Sequence, residues 1–225
     1  MKKLWYKFKI SKNGFTLAEV LITLVIIGVV AAMTIPTAIA KYKEKEKQAK
    51  VKKAYSTLSN AMTRVKAAGG DYVFTLTSND MNSMKDWFNT YLMPYLSISK
   101  VCYDSDGCWS PERSKYMNGS ESYIGKGSYR IDFILNDGTA VDIDDFTSSV
   151  IWSTWGVRTD SVSLVIAFDI NGGRGPNVVG EDVFVVIFTN DTGIKPAYID
   201  KTQSERNQSC SPTGNGASCI LKYLQ

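Results

Sequence analysis

Positions 15–40 are apolar almost without interruption, and Glu19 is the one ionisable side chain among them. At about 1.5 Å per residue, those 26 residues form a helix of roughly 39 Å, enough to cross a bilayer. Beyond position 40 the pattern turns from continuous to periodic. Val51, Ala54, Tyr55, Leu58, Ala61, Met62 and Val65 recur at spacings of three and four, which predicts one apolar stripe along a helix. Lys41, Lys43, Glu44, Lys45, Glu46, Lys47, Lys50, Lys52 and Lys53 occupy the other faces as a mostly solvated surface. Ala68, Gly69 and Gly70 supply a stop, because glycine accepts the left-handed geometry that follows a helix end. A helix over 16–67 would be about 78 Å long, half of it in lipid and half supporting a head.

The head, residues 71–225, is long enough for one domain with its own core and shows no internal repeat. Positions 79–91 predict a short helix with Met81, Met84, Trp87, Phe88 and Tyr91 on one face, capped at Thr77 or Ser78. Strand patterns follow at 129–135 and 140–143, which flank a hairpin turn at Asn136-Asp137-Gly138-Thr139, and again at 162–169 and 183–189. Four strands and a long helix predict an α+β fold, an antiparallel sheet packed on the helix stripe.

The segment before the apolar run is basic, with lysines at 2, 3, 7, 9 and 12, and Ala38-Ile39-Ala40 imitates a small-residue cleavage site. An ordinary secretory signal would look similar, but its apolar region covers only about 7 to 15 residues. A carboxylate inside that region would also weaken insertion. Charges at mid-bilayer cost about 2.5 to 3.5 kcal/mol, so Glu19 needs a partner. The apolar run contains no lysine or arginine. The nearest candidate is the amine released by cutting the chain just before Phe15.

Gly14-Phe15-Thr16-Leu17-Ala18-Glu19 resembles the class III signal of type IV pilins and type II secretion pseudopilins. The resemblance implies a leader over residues 1–14, cut after Gly14 by a prepilin peptidase that then N-methylates Phe15. The apolar segment is kept. It implies that Glu19 of one subunit neutralises the α-amino group of Phe15 on a neighbour, fixing the register between stacked subunits. An α-amino group with a pKa of about 7.7 to 8.0 is mostly charged at neutral pH. Pairing it with a carboxylate offsets much of the cost of burying either charge alone. Gly28 and Pro36 match the glycine and proline that bracket a segment loosened when a pilin enters its filament. Read without the family, Glu19 is an acid snorkelling to the membrane face and Pro36 a tolerated kink. The implied partners are identical or homologous pilin subunits, the prepilin peptidase, the bacterial inner membrane and an assembly platform.

Seven lysines between 41 and 53 rival the five in the leader, so the positive-inside rule does not orient the chain. The cysteines do. Four cysteines allow three pairings, of which two short loops, Cys102 with Cys108 and Cys210 with Cys219, are preferred. Two pairs of free buried thiols are the other reading, and a zinc site fits poorly because the chain has no histidine. Disulfides require an oxidising space, which puts the head outside the cytoplasm. Residues 209–219 resemble the disulfide-bounded loop near the C-terminus of many type IV pilins, and their proline, glycine and hydroxyl content predicts an exposed loop.

Residues 169–182 concentrate glycine with oxygen donors and read either as a tight loop or as a calcium site. Asp169, Asn171, Asn177 and Asp182 could converge on calcium if the loop doubles back, although the spacing departs from an EF-hand. Otherwise Asp169 and Asn171 bond their own backbone in a turn. Loss of the five leader lysines takes the formal charge from +4 to about −1, so no basic field drives nucleic-acid binding unless the local lysines are exposed in a DNA-uptake filament. With no histidine and no nucleophile elbow, ordinary Ser-His and Cys-His catalysis is absent. Asp142, Asp144 and Asp145 read as a strand end with a solvated face. These patterns point to a structural, non-enzymatic subunit of a pilus or secretion pseudopilus. The other class is a non-polymerising, membrane-tethered module binding calcium, polysaccharide or DNA.

Overall fold

The computed structural model describes residues 14–68, 81–110, 112–125, 128–160, 163–189 and 193–225. The leader lysines, the glycine stop at Gly69 and Gly70, the caps at Thr77 or Ser78 and the start of the head at Asp71 lie outside the described residues. The chain divides into two compact units, Met1–Lys45 and Glu46–Gln225.

Helix α1, Leu17–Ala67, is a single helix of 51 residues with Pro36 inside it. Pro36 has no N–H to donate, yet the helix continues unbroken. Hydroxyls nearby are satisfied by the helix itself: Thr34 donates to the Val30 carbonyl at 2.9 Å and Thr37 to that of Thr34 at 2.8 Å. In the first unit the large apolar side chains, among them Leu21, Ile22, Leu24 and Ile27, stand exposed. That much apolar surface requires a cover of lipid or other helices.

In the second unit the stripe is buried as its periodicity predicts: Val51, Ala54, Leu58, Ala61, Met62 and Val65 are all in the core, with Tyr55 packed partly buried beside them. Helix α2, Met81–Trp87, widens into a π-helical turn over Phe88–Leu92 before Pro94. This changes the expected face. Met84, Phe88 and Leu92 are buried at spacings of four, whereas Tyr91 is left exposed.

Six antiparallel strands follow in sequence order: β1 Ile98–Tyr103, β2 Ile131–Leu135, β3 Ala140–Phe146, β4 Ser163–Asp169, β5 Val183–Thr189 and β6 Gly193–Pro196. The short edge strands β1 and β6 carry too little apolar alternation to be read from sequence. The turn between β2 and β3 is closed by Gly138 donating to the Leu135 carbonyl, with Gly138 at φ 88°. One row across the sheet, Val101, Phe133, Val141, Phe168 and Phe184, lies in the core cluster that includes the α1 stripe.

The opposite face is covered as well. Val165, Ala167, Val183, Val185 and Ile187 pack with Trp109, Ile124, Ile151, Trp155 and Val179 in a second core. Burial on both faces explains why β4 and β5 read as nearly continuous apolar runs, since a half-solvated antiparallel strand would alternate. It also corrects the expectation for the acids of β3. Asp142 is buried and Asp144 half-buried because chain from 104–110, 112–125 and 148–157 covers the face where water was expected, and Asp145, paired with Leu164 on the α1 side, is buried as well.

The C-terminal segment corrects a second expectation. After α3 (Ser148–Val150) and α4 (Gln203–Ser209), the loop bounded by Cys210 and Cys219 is mostly buried, only Pro212 and Thr213 being fully exposed. Its polar groups are satisfied internally: Ser209 Oγ donates to Asn215 Oδ1 at 2.5 Å and Ser218 Oγ to the Arg206 carbonyl at 2.6 Å. Glycine supplies the close approach. A Cβ on Gly216, where φ is 78°, would lie 1.9 Å from the Val179 carbonyl oxygen. Helix α5, Ile220–Leu224, then inserts Ile220 and Tyr223 into the α1-side core, with Tyr223 edge-on to Phe184. Lys52 donates to the Gln225 carbonyl at 2.8 Å and Lys53 bridges Asp137 at 2.8 Å, so these two lysines tie α1 to the head.

Two substitutions separate these contributions in thermal or denaturant unfolding. Gly216→Ala should cost about 3 kcal/mol or more through backbone strain and overlap. Gly119→Ala has the same sign of φ but open space around it, and should cost only about 1 to 2 kcal/mol.

Candidate functional site

The Gly14–Glu19 motif lies at the start of α1. Gly14, Phe15 and Thr16 precede the helix, and Phe15 is 88% exposed. Thr16 and Glu19 close a reciprocal capping box: the Glu19 amide donates to Thr16 Oγ1 at 3.3 Å, while Glu19 Oε2 accepts both the Thr16 amide and its hydroxyl at 2.8 Å. Thr202 and Glu205 make the same box at the start of α4. Thr16 is a residue that the reading of the motif passed over. Its signal is present in the sequence, a threonine followed three positions later by glutamate just before an apolar run.

This geometry does two things. It satisfies helix amides that would otherwise face an apolar environment, and it holds the one carboxylate of the segment within a turn of the Gly14–Phe15 bond. An amine released at Phe15 would therefore appear beside a carboxylate already fixed in place. Farther along, Gly28 has nothing within 4 Å of where a Cβ would lie, so the described chain presents an open notch there.

In the head the cysteines stand at disulfide distance, Cys102 to Cys108 at 2.10 Å and Cys210 to Cys219 at 1.95 Å. The β4–β5 loop gathers all four calcium candidates, but its carboxylates are taken up by the loop's own N–H groups. Asp169 accepts from the Asn171 and Gly173 amides at 2.8 Å each. Asp182 Oδ2 accepts from Asn171 Nδ2 and the Asn177 amide at 2.9 Å each, and its Oδ1 from the Val178 amide at 2.7 Å. Asn177 Nδ2 turns to Ser110 Oγ at 3.0 Å. Burial pushes the Asp169 carboxyl up to about 6 despite these bonds. The Asx-turn reading accounts for this loop. Among the described residues no group of three or more acidic, histidine or cysteine side chains has metal-holding geometry, while Asn171 Oδ1 and Asn177 Oδ1 are buried without a hydrogen-bond partner.

Thermal unfolding of the full chain in detergent should show the same midpoint with millimolar calcium and with a chelator. A ligand at 100 times its dissociation constant would instead add about 2.7 kcal/mol. Asp182→Ala should lower the midpoint equally in both conditions, by leaving buried amides without an acceptor at a cost of about 1 to 3 kcal/mol.

Comparison with known families matches residues 10–35 to the prokaryotic N-terminal methylation motif. No curated protein and no solved structure gave a match. The chain therefore carries the class III signal of type IV pilins and pseudopilins, set on a long apolar N-terminal helix and followed by an α+β head of pilin-like architecture.

Proposed function

We propose that this chain is a prepilin, a structural and non-enzymatic subunit that a prepilin peptidase cuts between Gly14 and Phe15 and N-methylates on Phe15. Residues 15–40 hold it in the bacterial inner membrane with the head outside the cytoplasm, and the mature subunit polymerises with identical or homologous subunits into a type IV pilus or a type II secretion pseudopilus. The observation that supports this most is the position of Glu19 within the matched motif. It is the lone acid of the apolar run, capped by Thr16 and one turn from the new terminus.

In this reading Glu19 meets the charged Phe15 amine of a neighbour once both are withdrawn from water. The Thr16 bonds occupy Oε2, and no hydrogen bond to Oε1 is made among the described residues, so an oxygen is left for the incoming amine. Thr16 is then a positioning residue, acting through Glu19. Filament cohesion comes from packing of the exposed apolar helix faces, and the charge pair sets the axial register.

Mass spectrometry of the N-terminal peptide, from chain expressed with its own peptidase, should find an N-methylated Phe15 terminus. A terminus at Lys41 would make the chain a secreted soluble protein. An intact leader would favour the membrane-tethered module. Glu19→Leu should leave membrane display intact while cutting incorporation into filaments about a hundredfold or more, since an unpaired buried charge costs about 3 to 5 kcal/mol. Thr16→Ala, which removes a cap of about 1 kcal/mol, should reduce incorporation by only several-fold.

A further inference from the structure

A second charged constellation lies in the head, on the sheet face opposite α1. Across that face the register places Cys102, Asp132, Asp142, Ala167 and Val185 in one row. Asp132 is wholly buried and Asp142 nearly so, and Asp144 lies two residues farther along the same face of β3. Three carboxyl groups thus share a largely dry site. Arg130 is the one cation among the described residues that faces them, with Nε on Asp132 Oδ2 at 2.8 Å and Nη2 on the exposed Asp106 at 3.4 Å. β1 contributes only a disulfide-bonded cysteine to the row, and β4 and β5 only Ala167 and Val185.

The hydrogen bonding is incomplete unless a proton is present. No N–H or O–H donor reaches the buried Asp132 Oδ1. Asp132 and Asp142 are direct cross-strand partners, both buried, a placement that disfavours ionising both carboxyl groups. A carboxyl proton on Asp142, donated to Asp132, completes the set. Burial first, and the facing Asp132 second, hold Asp142 well above the ordinary carboxylate range. Burial also pushes Asp144 up to about 7.

The chain over this site is fastened to it. The amide of Gly125 donates to Asp142 Oδ2 at 3.1 Å. A Cβ on Gly125 would lie 2.0 Å from the Trp109 ring, so loop and indole are in close contact there, and Ile124 is buried beside them. The excursion leaves β1 through the Cys102–Cys108 disulfide, and the Asp104 amide bonds the Arg130 carbonyl at 3.0 Å. We propose that Asp132 and Asp142, sharing one proton, form a pH-operated clasp that holds residues 104–125 on the sheet and lets them go when the proton leaves.

The direction follows from where the proton binds more tightly. An acid whose folded-state pKa is raised holds its proton better folded than unfolded. Its stabilisation is complete below the ordinary carboxylate range and is lost as pH rises from there toward the raised folded value. Ionised Asp142 would bond the Gly125 amide more strongly, but one amide does not offset two further carboxylates in a dry site. Lifting the loop admits water, and it uncovers Trp109 and Ile124.

Hydrogen exchange of the full chain in detergent, read by mass spectrometry as protection factors at about pH 5 and about pH 8, tests the clasp. Peptides from 104–125 should lose about tenfold or more in protection at the higher pH, while β5 peptides keep theirs. Asp142→Asn retains the acceptor for Gly125 and a donor for Asp132 without a titrating proton, so its 104–125 protection should be the same at both values. Unchanged protection in the natural chain, or an equal loss in Asp142→Asn, overturns the proposal. Should that variant fail to fold, infrared spectroscopy of the natural chain at neutral pH decides: a protonated buried carboxyl band supports the clasp, and its absence overturns it.

Discussion

The head depends on one packing contact, the burial of the α1 stripe from Val51 to Val65 against one face of the sheet. Val51, Leu58, Met62 and Val65 are each worth about 1.5 to 3 kcal/mol when fully buried, and with Ala54 and Ala61 they fix which face of α1 points inward. Everything on that side follows the stripe. The aromatic row of Phe133, Phe168 and Phe184 supplies the complementary surface, α2 contributes Met84 and Phe88, and the C-terminal Ile220 and Tyr223 close the edge. Lys52 and Lys53, on the flanks of the stripe, reach Gln225 and the β2–β3 turn, so segments distant in sequence are fastened to one helix.

The second face obeys a different constraint. A sheet in an α+β head can leave one side to water, and then its strands alternate. Here β4 and β5 are apolar on both sides, so a second cover is required, and long irregular segments provide it. Irregular chain carries backbone polar groups that must be satisfied wherever it is buried. The structure meets that demand with side chains as acceptors: Asp182 collects three N–H groups, Asp169 two and Asp142 one. The buried acids of this protein are therefore concentrated where loops dock.

That is also why the sequence told one half of the fold and not the other. The α1 stripe, the β2–β3 hairpin and the runs that become β4 and β5 announce themselves by period and composition. The edge strands β1 and β6 do not, because an edge strand needs little apolar patterning. Asp142, Asp144 and Asp145 looked solvated because an acid-rich strand end ordinarily is, and only long-range packing reverses that, docking of residues 112–125 over Asp142 and the α1-side core beside Asp145. The loop at 209–219 looked exposed because proline, glycine and serine cannot build an apolar core. It is buried by satisfying its own hydroxyls and by the glycine contact of Gly216 with Val179. At the candidate site, Gly14, Phe15 and Glu19 were legible from the motif, whereas Thr16 required treating the motif as the start of a helix.

The two capping boxes show what the site asks of ordinary helix chemistry. At α4, Thr202 and Glu205 begin a short surface helix, and water is available to either group if the box opens. At α1 the same residues at the same spacing stand at the head of an apolar run, where opening the box would strand a carboxylate and helix amides without water. A further donor to Glu19 can therefore be accommodated at Oε1 without opening the box. In the proposed filament a neighbouring subunit's amine would be that donor. On the proposed reading, the box keeps the acid tolerable in the isolated subunit and leaves its second oxygen for assembly.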